Sequence, residues 1–303
     1  MPESPLLGTP IRGYPVTSSD ARARVAPAQR MQRKVGFAGS ERKMRQTPKG
    51  NERVDLMGMP LASLRAAEVV DRVFSDLDAG RGGWLVTVNL DILRRHHLDE
   101  EARALYALAD LHVADGMPLV WASRVRRKGG LPERVAGASL TSSLVARAEA
   151  EGRSLYLLGG APGAARAAGR MLRRRHPSLR LAGTDGPAIS SPPTTGEVQR
   201  VLDALLASRP DLLLVGLGSP KQEQLIAALR SELPATWMAG VGVTFSFLAG
   251  QLPRAPRWMQ QAGLEWVHRM AHEPRRLARR YLLHDLPFAG LLFAHALRAR
   301  LAE

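Results

Sequence analysis

Residues 209–223 read RPDLLLVGLGSPKQE: an apolar run, DLLLVGLG, that passes straight into a small-residue turn and then the polar start of a helix. In α/β proteins a ligand sits at the carboxyl end of a parallel strand, beside the first free amides of the next helix. The same arrangement occurs in SLYLLGGAPGAARAAGRML (154–172), and DLHVADGMPLVWAS (110–123) is a third candidate. Three such turns, each with glycine and a functional side chain or exposed amides, predict one composite site on one sheet edge. They point to an enzyme acting on a phosphorylated small molecule.

Outward from these turns the alternation continues. VDLMGMPL (54–61) reads as a first strand, and LASLRAAEVVDRVFSDL (61–77) has apolar residues at helical spacing. WLVTVNLDIL (84–93), LHVAD (111–115), LRLAGT (179–184) and TWMAGVGVTF (236–245) read as further strands with helices between them, and GPAISSPPTTG (186–196) as a loop. The fold class expected is α/β: a mostly parallel, Rossmann-like sheet with helices on both faces. After QLPRAP the chain is expected to be helical throughout, with Pro274 and Pro287 as breaks, forming a C-terminal helical appendage. Residues 1–50 are rich in Pro, Ser, Gly, Arg and Lys without periodicity, and read as a disordered basic extension or an over-long start. The domain plan is therefore 1–50 extension, 54–253 α/β catalytic domain and 254–303 basic, membrane-proximal appendage.

Net charge is +15 over 303 residues, and its distribution is uneven. Residues 1–53 hold 11 Lys or Arg against 4 acidic residues, and residues 254–303 hold 9 against 4. A nearly neutral middle with basic ends implies that anionic partners (lipid phosphates, nucleic acid or substrate phosphates) are met at the ends. Nucleic acid is disfavoured, because aromatics are 5% and form no stacking platform. Cysteine is absent, so disulfides and a thiol nucleophile are excluded. The N-terminus lacks the layout of a secretory signal, and no uncharged apolar stretch approaches the ~18 residues of a membrane span. A cytoplasmic location is expected.

Several segments in order resemble the WecG/TagA/CpsF family of bacterial glycosyltransferases, also called glycosyltransferase family 26. They are TVNLDIL (87–93), ADGMPLVWAS (114–123), LPERVAG (131–137), LYLLGGAPG (155–163), VGLGSPKQE (215–223), FLAGQLPRAPRWMQQAGLEWVHR (247–269) and EPRRLARRY (273–281). The resemblance implies transfer of a sugar from a UDP-sugar to a lipid-diphosphate-linked sugar, a polyprenyl-diphosphate acceptor, at the inner face of the cytoplasmic membrane. It implies inversion, attachment as a peripheral membrane protein in cell-surface or exopolysaccharide synthesis, no divalent metal and no cofactor. Apart from the resemblance, no Asp-x-Asp follows a strand and no His pair is expected at ligand spacing. The HH at 96–97 is flanked by arginines in a helix expected to be exposed.

Asp115 ends the expected strand LHVAD and precedes Gly116, so its carboxylate either points into the site or caps the next turn. The resemblance makes it the general base for the acceptor hydroxyl, which is a poor nucleophile until its proton is being removed. Thr87 and Asn89 share a strand face, either as the solvated side of an edge or, as the resemblance implies, beside the sugar near Asp115. Arg134 suits a donor diphosphate, or is a surface loop arginine. Gln222 at a helix start could hold the uridine or sugar, while Lys221 could be simply solvated. Gly159, Gly160, Gly216 and Gly218 allow close backbone approach to a ligand, or merely tight turns.

Arg269, Arg276 and Arg279 are spaced by seven and three, sharing a face if the helix is continuous across Pro274. The resemblance assigns matching arginines to closing the site over the lipid-linked diphosphate, leaving Arg275 and Arg280 for lipid head groups. The last segment, LPFAGLLFAHALRARL (286–301), reads as an interfacial amphipathic element, a packing helix or a homo-oligomer contact. Two residues depart from the family pattern: Ser246 in FSFLAG and Ser139 in RVAGASL stand where the family usually has Asp. They leave open a different donor sugar, or a nucleotide-binding regulatory or scaffold protein without turnover.

Overall fold

The computed structural model describes residues 52–125 and 129–302. The expected extension over residues 1–50 lies outside the described residues. The described residues form a single compact unit.

The chain begins with β1 (Arg53–Leu56) and β2 (Met59–Ala62), an antiparallel pair forming its own two-stranded sheet. VDLMGMPL is thus a hairpin rather than one strand, because Met57 (φ 54°) and Gly58 (φ 88°) both adopt the left-handed backbone that reverses the chain. Then follow α1 (Ala66–Asp78), β3 (Gly83–Val88), α2 (Leu90–Leu98), α3 (Glu100–Tyr106), β4 (Leu111–Ala114), α4 (Met117–Val125), α5 (Gly137–Ala150), β5 (Ser154–Gly159), α6 (Ala164–Arg175), β6 (Arg180–Asp185), α7 (Thr195–Ser208), β7 (Leu212–Gly216), α8 (Lys221–Leu229), β8 (Trp237–Gly240) and α9 (Thr244–Leu248). Helices α10 (Arg257–Gln261), α11 (Glu265–His272) and α12 (Pro274–Ala278), a π-helix (Arg279–Asp285) and α13 (Leu286–Ala302) complete it.

The main sheet has six strands in the order β4-β3-β8-β7-β5-β6, and every pairing within it is parallel. Alternation along each strand divides the core between the two faces. Trp84, Val86, Leu213 and Val215 face α2, α4, α8 and α13, while Leu85, Leu155, Leu157, Leu212 and Leu214 face α1, α5 and α6. Two expected strands run too long. WLVTVNLDIL stops being a strand at Val88, because the Asn89 side chain accepts from Ile92 N (3.1 Å) and starts α2. TWMAGVGVTF likewise turns at Gly242 (φ 55°) into α9.

The expected breaks in the tail are half right. Pro274 opens α12 after the chain leaves helical geometry at Glu273 (φ −132°, ψ 55°). Pro287 does not end the helix: the π-helix runs straight into α13 with Leu286 in helical geometry, and Pro287 lies just after the winding changes from π to α. Helix α13 contributes Phe288, Leu292 and Ala296 to the core, while Leu286, Leu291, Leu297 and Leu301 stay exposed. Among the described residues, no helix is long and apolar enough to cross a membrane.

Candidate active site

A cavity of about 500 Å³ opens at the carboxyl ends of β3, β4, β7 and β8. The chain passes from β3 to its neighbour β4 and only then crosses to β5 on the other side, so the cavity lies where strand order reverses. A shallower hollow at the opposite end of the sheet is lined by Asp78, Arg153, Arg180 and Asp211. Its charges satisfy one another, Arg153 bonding both Asp78 and Asp211.

Thr87, Asn89 and Asp115 all line the larger cavity. Thr87 pairs in register with Val113, which sets it beside the end of β4, and Asp115 N donates to Val88 O (2.7 Å). Asp115 Oδ2 accepts from Gly137 N (3.0 Å) in the first turn of α5, so the carboxylate meets the positive end of a 14-residue helix. A Cβ on Gly137 would stand 3.2 Å from Thr87 Oγ1 and 3.4 Å from Asp115 Oδ2; glycine lets that helix start come so near. Burial pushes the Asp115 carboxyl up to about 6, outweighing the Gly137 bond and the Arg134 guanidinium, with Glu265 adding to the rise and Arg269 opposing it.

Cations line the neighbouring wall. Arg134 Nη2 donates to Glu265 Oε2 (3.1 Å), and Arg254 Nε to Glu265 Oε1 (3.3 Å), so one carboxylate at the start of α11 bridges two guanidiniums. Arg254 Nη2 also donates to Ser139 Oγ (2.8 Å), one of the two serines that depart from the family pattern. The other, Ser246, is buried in α9 and does not line the cavity. Arg269 lines the cavity too. The outer wall is aromatic: Trp121 and Trp266 are half-exposed there, and Trp266 meets Tyr281 edge-on at 5.9 Å.

Gln222 is in the wall, but its amide is already engaged. Oε1 accepts from Gly218 N and Gly242 N (3.1 Å each), and Nε2 donates to Glu223 Oε1 (2.9 Å). It therefore ties two turns together. Lys221 Nζ donates to Ile189 O (2.9 Å) in the loop before α7 and is not simply solvated. Gly218 lines the cavity; Gly159, Gly160 and Gly216 do not. Those three serve packing instead, since a Cβ there would stand 2.7 Å from Leu217, 3.0 Å from Ala164 and 2.7 Å from Phe245 respectively.

The appendage arginines are not arranged as their spacing implies. The seven-and-three pattern needs one continuous α-helix, and the chain breaks at Glu273 and widens into i→i+5 bonding over Arg279–Asp285. Arg279 consequently faces solvent. Arg280, expected at lipid head groups, instead lines the cavity, 3.4 Å from Asp285 and over the Tyr281 ring. The side chain of Arg276 lies outside the described residues, and Arg275 is exposed.

Two readings of histidine are corrected. His96 is buried rather than exposed, packed by α2 near Gly58, while His97 meets Phe288 at 6.0 Å. His268 and His272, one turn apart on α11, do stack at 4.3 Å, but among the described residues no cluster of three potential metal ligands exists.

Sequence reasoning missed Gly137, Arg254, Glu265 and the two tryptophans. All five lie inside quoted motifs, but none carries a spacing signal. With this geometry in place, comparison with known families adds that the glycosyl transferase WecG/TagA/CpsF family model matches residues 54–302.

Proposed function

Because the chain belongs to the WecG/TagA/CpsF family of glycosyl transferases, which act in cell-surface polymer synthesis, we propose that this cavity transfers a sugar from a UDP-sugar to a lipid-diphosphate-linked acceptor. The observation that carries the reading is a half-buried carboxylate, Asp115, on the cavity floor beside a wall of guanidiniums. Asp115 takes the proton of the acceptor hydroxyl as that oxygen bonds to the anomeric carbon. The bond from this carbon to the diphosphate oxygen breaks on the opposite face, its electron pair leaving with UDP, so configuration inverts. Arg134, Arg254 and Arg269 stabilise the charge that grows on the departing diphosphate.

Several features support the assignment of sides. Thr87 and Asn89 offer polar groups next to Asp115, and Trp121 and Trp266 offer ring faces to the C–H surface of a sugar. The guanidiniums of Arg134, Arg254 and Arg269 offer the leaving diphosphate the positive charge that a divalent ion would otherwise supply, and metal independence is part of the proposal. Exposed leucines on α13 support contact with a membrane surface, and peripheral attachment at the inner face is part of the proposal.

The test is UDP release from a panel of UDP-sugars, with a lipid-diphosphate-linked monosaccharide as acceptor and EDTA present. Acceptor-dependent release from one donor establishes the reading. Silence with UDP still bound would favour a protein that holds nucleotide without turnover.

A further inference from the structure

The most deeply buried carboxylate near the cavity takes no part in the chemistry above. Glu223 on α8 is 2% exposed; its Oε1 accepts from Gln222 Nε2 (2.9 Å), and its Oε2 has no hydrogen-bond partner among the described residues. Burial pushes the carboxyl above the ordinary glutamate range, against the pull of the Gln222 amide, its own backbone N–H, the Ser219 hydroxyl and the Arg95 charge. A half-satisfied buried carboxylate lowers stability and calls for a reason.

The reason is found one residue away. Gln222 Oε1 gathers the N–H groups of Gly218 (φ 75°) and Gly242 (φ 55°), which belong to the turns after β7 and β8. The amide lies across Gly240, where a Cβ would stand 2.5 Å from Nε2, so strand β8 leaves it a fitted slot. Both turns line the cavity. The remaining end of the amide, Nε2, is a buried donor whose acceptor is Glu223.

We propose that Glu223 is a positioning residue: it anchors the Gln222 amide, which in turn holds the β7–α8 and β8–α9 turns at the spacing that the ligand meets. Without this acceptor, Nε2 is orphaned, Gln222 turns outward to be solvated, and the two glycine amides are released. The functional arm of this inference rests on the donor-binding reading above; its structural arm does not.

The test compares E223L, which removes the acceptor at similar volume, with E223Q, which keeps one. Three quantities are read: amide hydrogen exchange at Gly218 and Gly242, UDP affinity, and melting temperature. E223L is expected to speed exchange at both glycines and weaken UDP binding by about tenfold, while melting no lower than the wild type. E223Q is expected to restore most of the protection and affinity. Q222L should speed exchange at both glycines and weaken UDP binding as E223L does, and E223L placed on it should add nothing further to either. Unchanged exchange in E223L overturns the proposal, as does a failure to fold or a melting temperature that drops with affinity. If the wild type fails to bind UDP, the donor reading falls and the exchange comparison alone decides the role of Glu223.

Discussion

The N–H of Gly137 donates to Asp115 Oδ2 across 3.0 Å, so the carboxylate at one strand end is held by the first turn of a helix from elsewhere in the chain. The absence of a side chain at 137 makes that contact possible. Gly137→Ala should raise local helix propensity by up to about 1 kcal/mol, yet push a methyl group against Thr87 and Asp115. Transfer is expected to fall at least about tenfold while melting temperature holds, read from acceptor-dependent UDP release beside thermal unfolding.

Asp115→Asn keeps the Gly137 bond and loses the base. Turnover should drop by about 10²–10⁴-fold with UDP affinity retained. Near-normal transfer by a folded variant would remove Asp115 from the mechanism.

The pH profile follows from the same group. Asp115 must be ionised to accept a proton, so kcat/KM should fall about tenfold per pH unit below about 6. Stability runs the other way. The folded state holds this proton more tightly than the unfolded chain, so the ionisation of Asp115 costs stability as pH rises from its ordinary value of 3.8 to about 6. Asp115→Asn should therefore melt roughly 2–5 °C higher than wild type at pH 7.5 and no higher at pH 4.

Arg134 and Glu265 should move the acid limb in opposite directions. The Arg134 charge lowers the Asp115 pKa and the Glu265 charge raises it. Arg134→Ala should shift the limb to higher pH, and Glu265→Gln to lower pH. Arg134→Lys should recover the limb but not full UDP affinity, because an ammonium cannot grip a diphosphate with two parallel bonds. Parallel shifts in both variants would contradict the charge arrangement.

Much of the fold was legible before any coordinates. Apolar strands such as DLLLVG, buried on both faces, announce a parallel sheet, and the strand-end position of Asp115 follows from LHVAD alone. Boundaries failed where a single side chain or turn decided them: Asn89 capping α2, and Met57 and Gly58 folding back β1 onto β2. In the site, Thr87, Asn89 and Asp115 come together because strand ends and a helix start carry them there, and Arg134 and Arg269 join them from a loop and from the middle of α11. Glu265 and Arg254 were illegible because their meaning lies in partners 131 and 115 residues away in sequence. Helical arithmetic misjudged the tail arginines, since it supposes one pitch throughout.

Arg280→Ala should weaken turnover by about tenfold or more, whereas Arg279→Ala should change little. The comparison is made under identical salt, by the same UDP-release assay. Equal losses would mean that the two arginines are not distinguished by the direction they face.

That distinction has an evolutionary face. A π-turn can be regarded as an α-helix carrying one surplus residue, so a single codon separates the two geometries over Arg279–Asp285. Deleting one residue within this stretch would rewind it and turn the chain on its two sides by about 100° relative to one another, changing which arginines meet the cavity. A lineage could thus exchange which arginine guards the cavity by an indel of three nucleotides, with no change in amino-acid composition at either position.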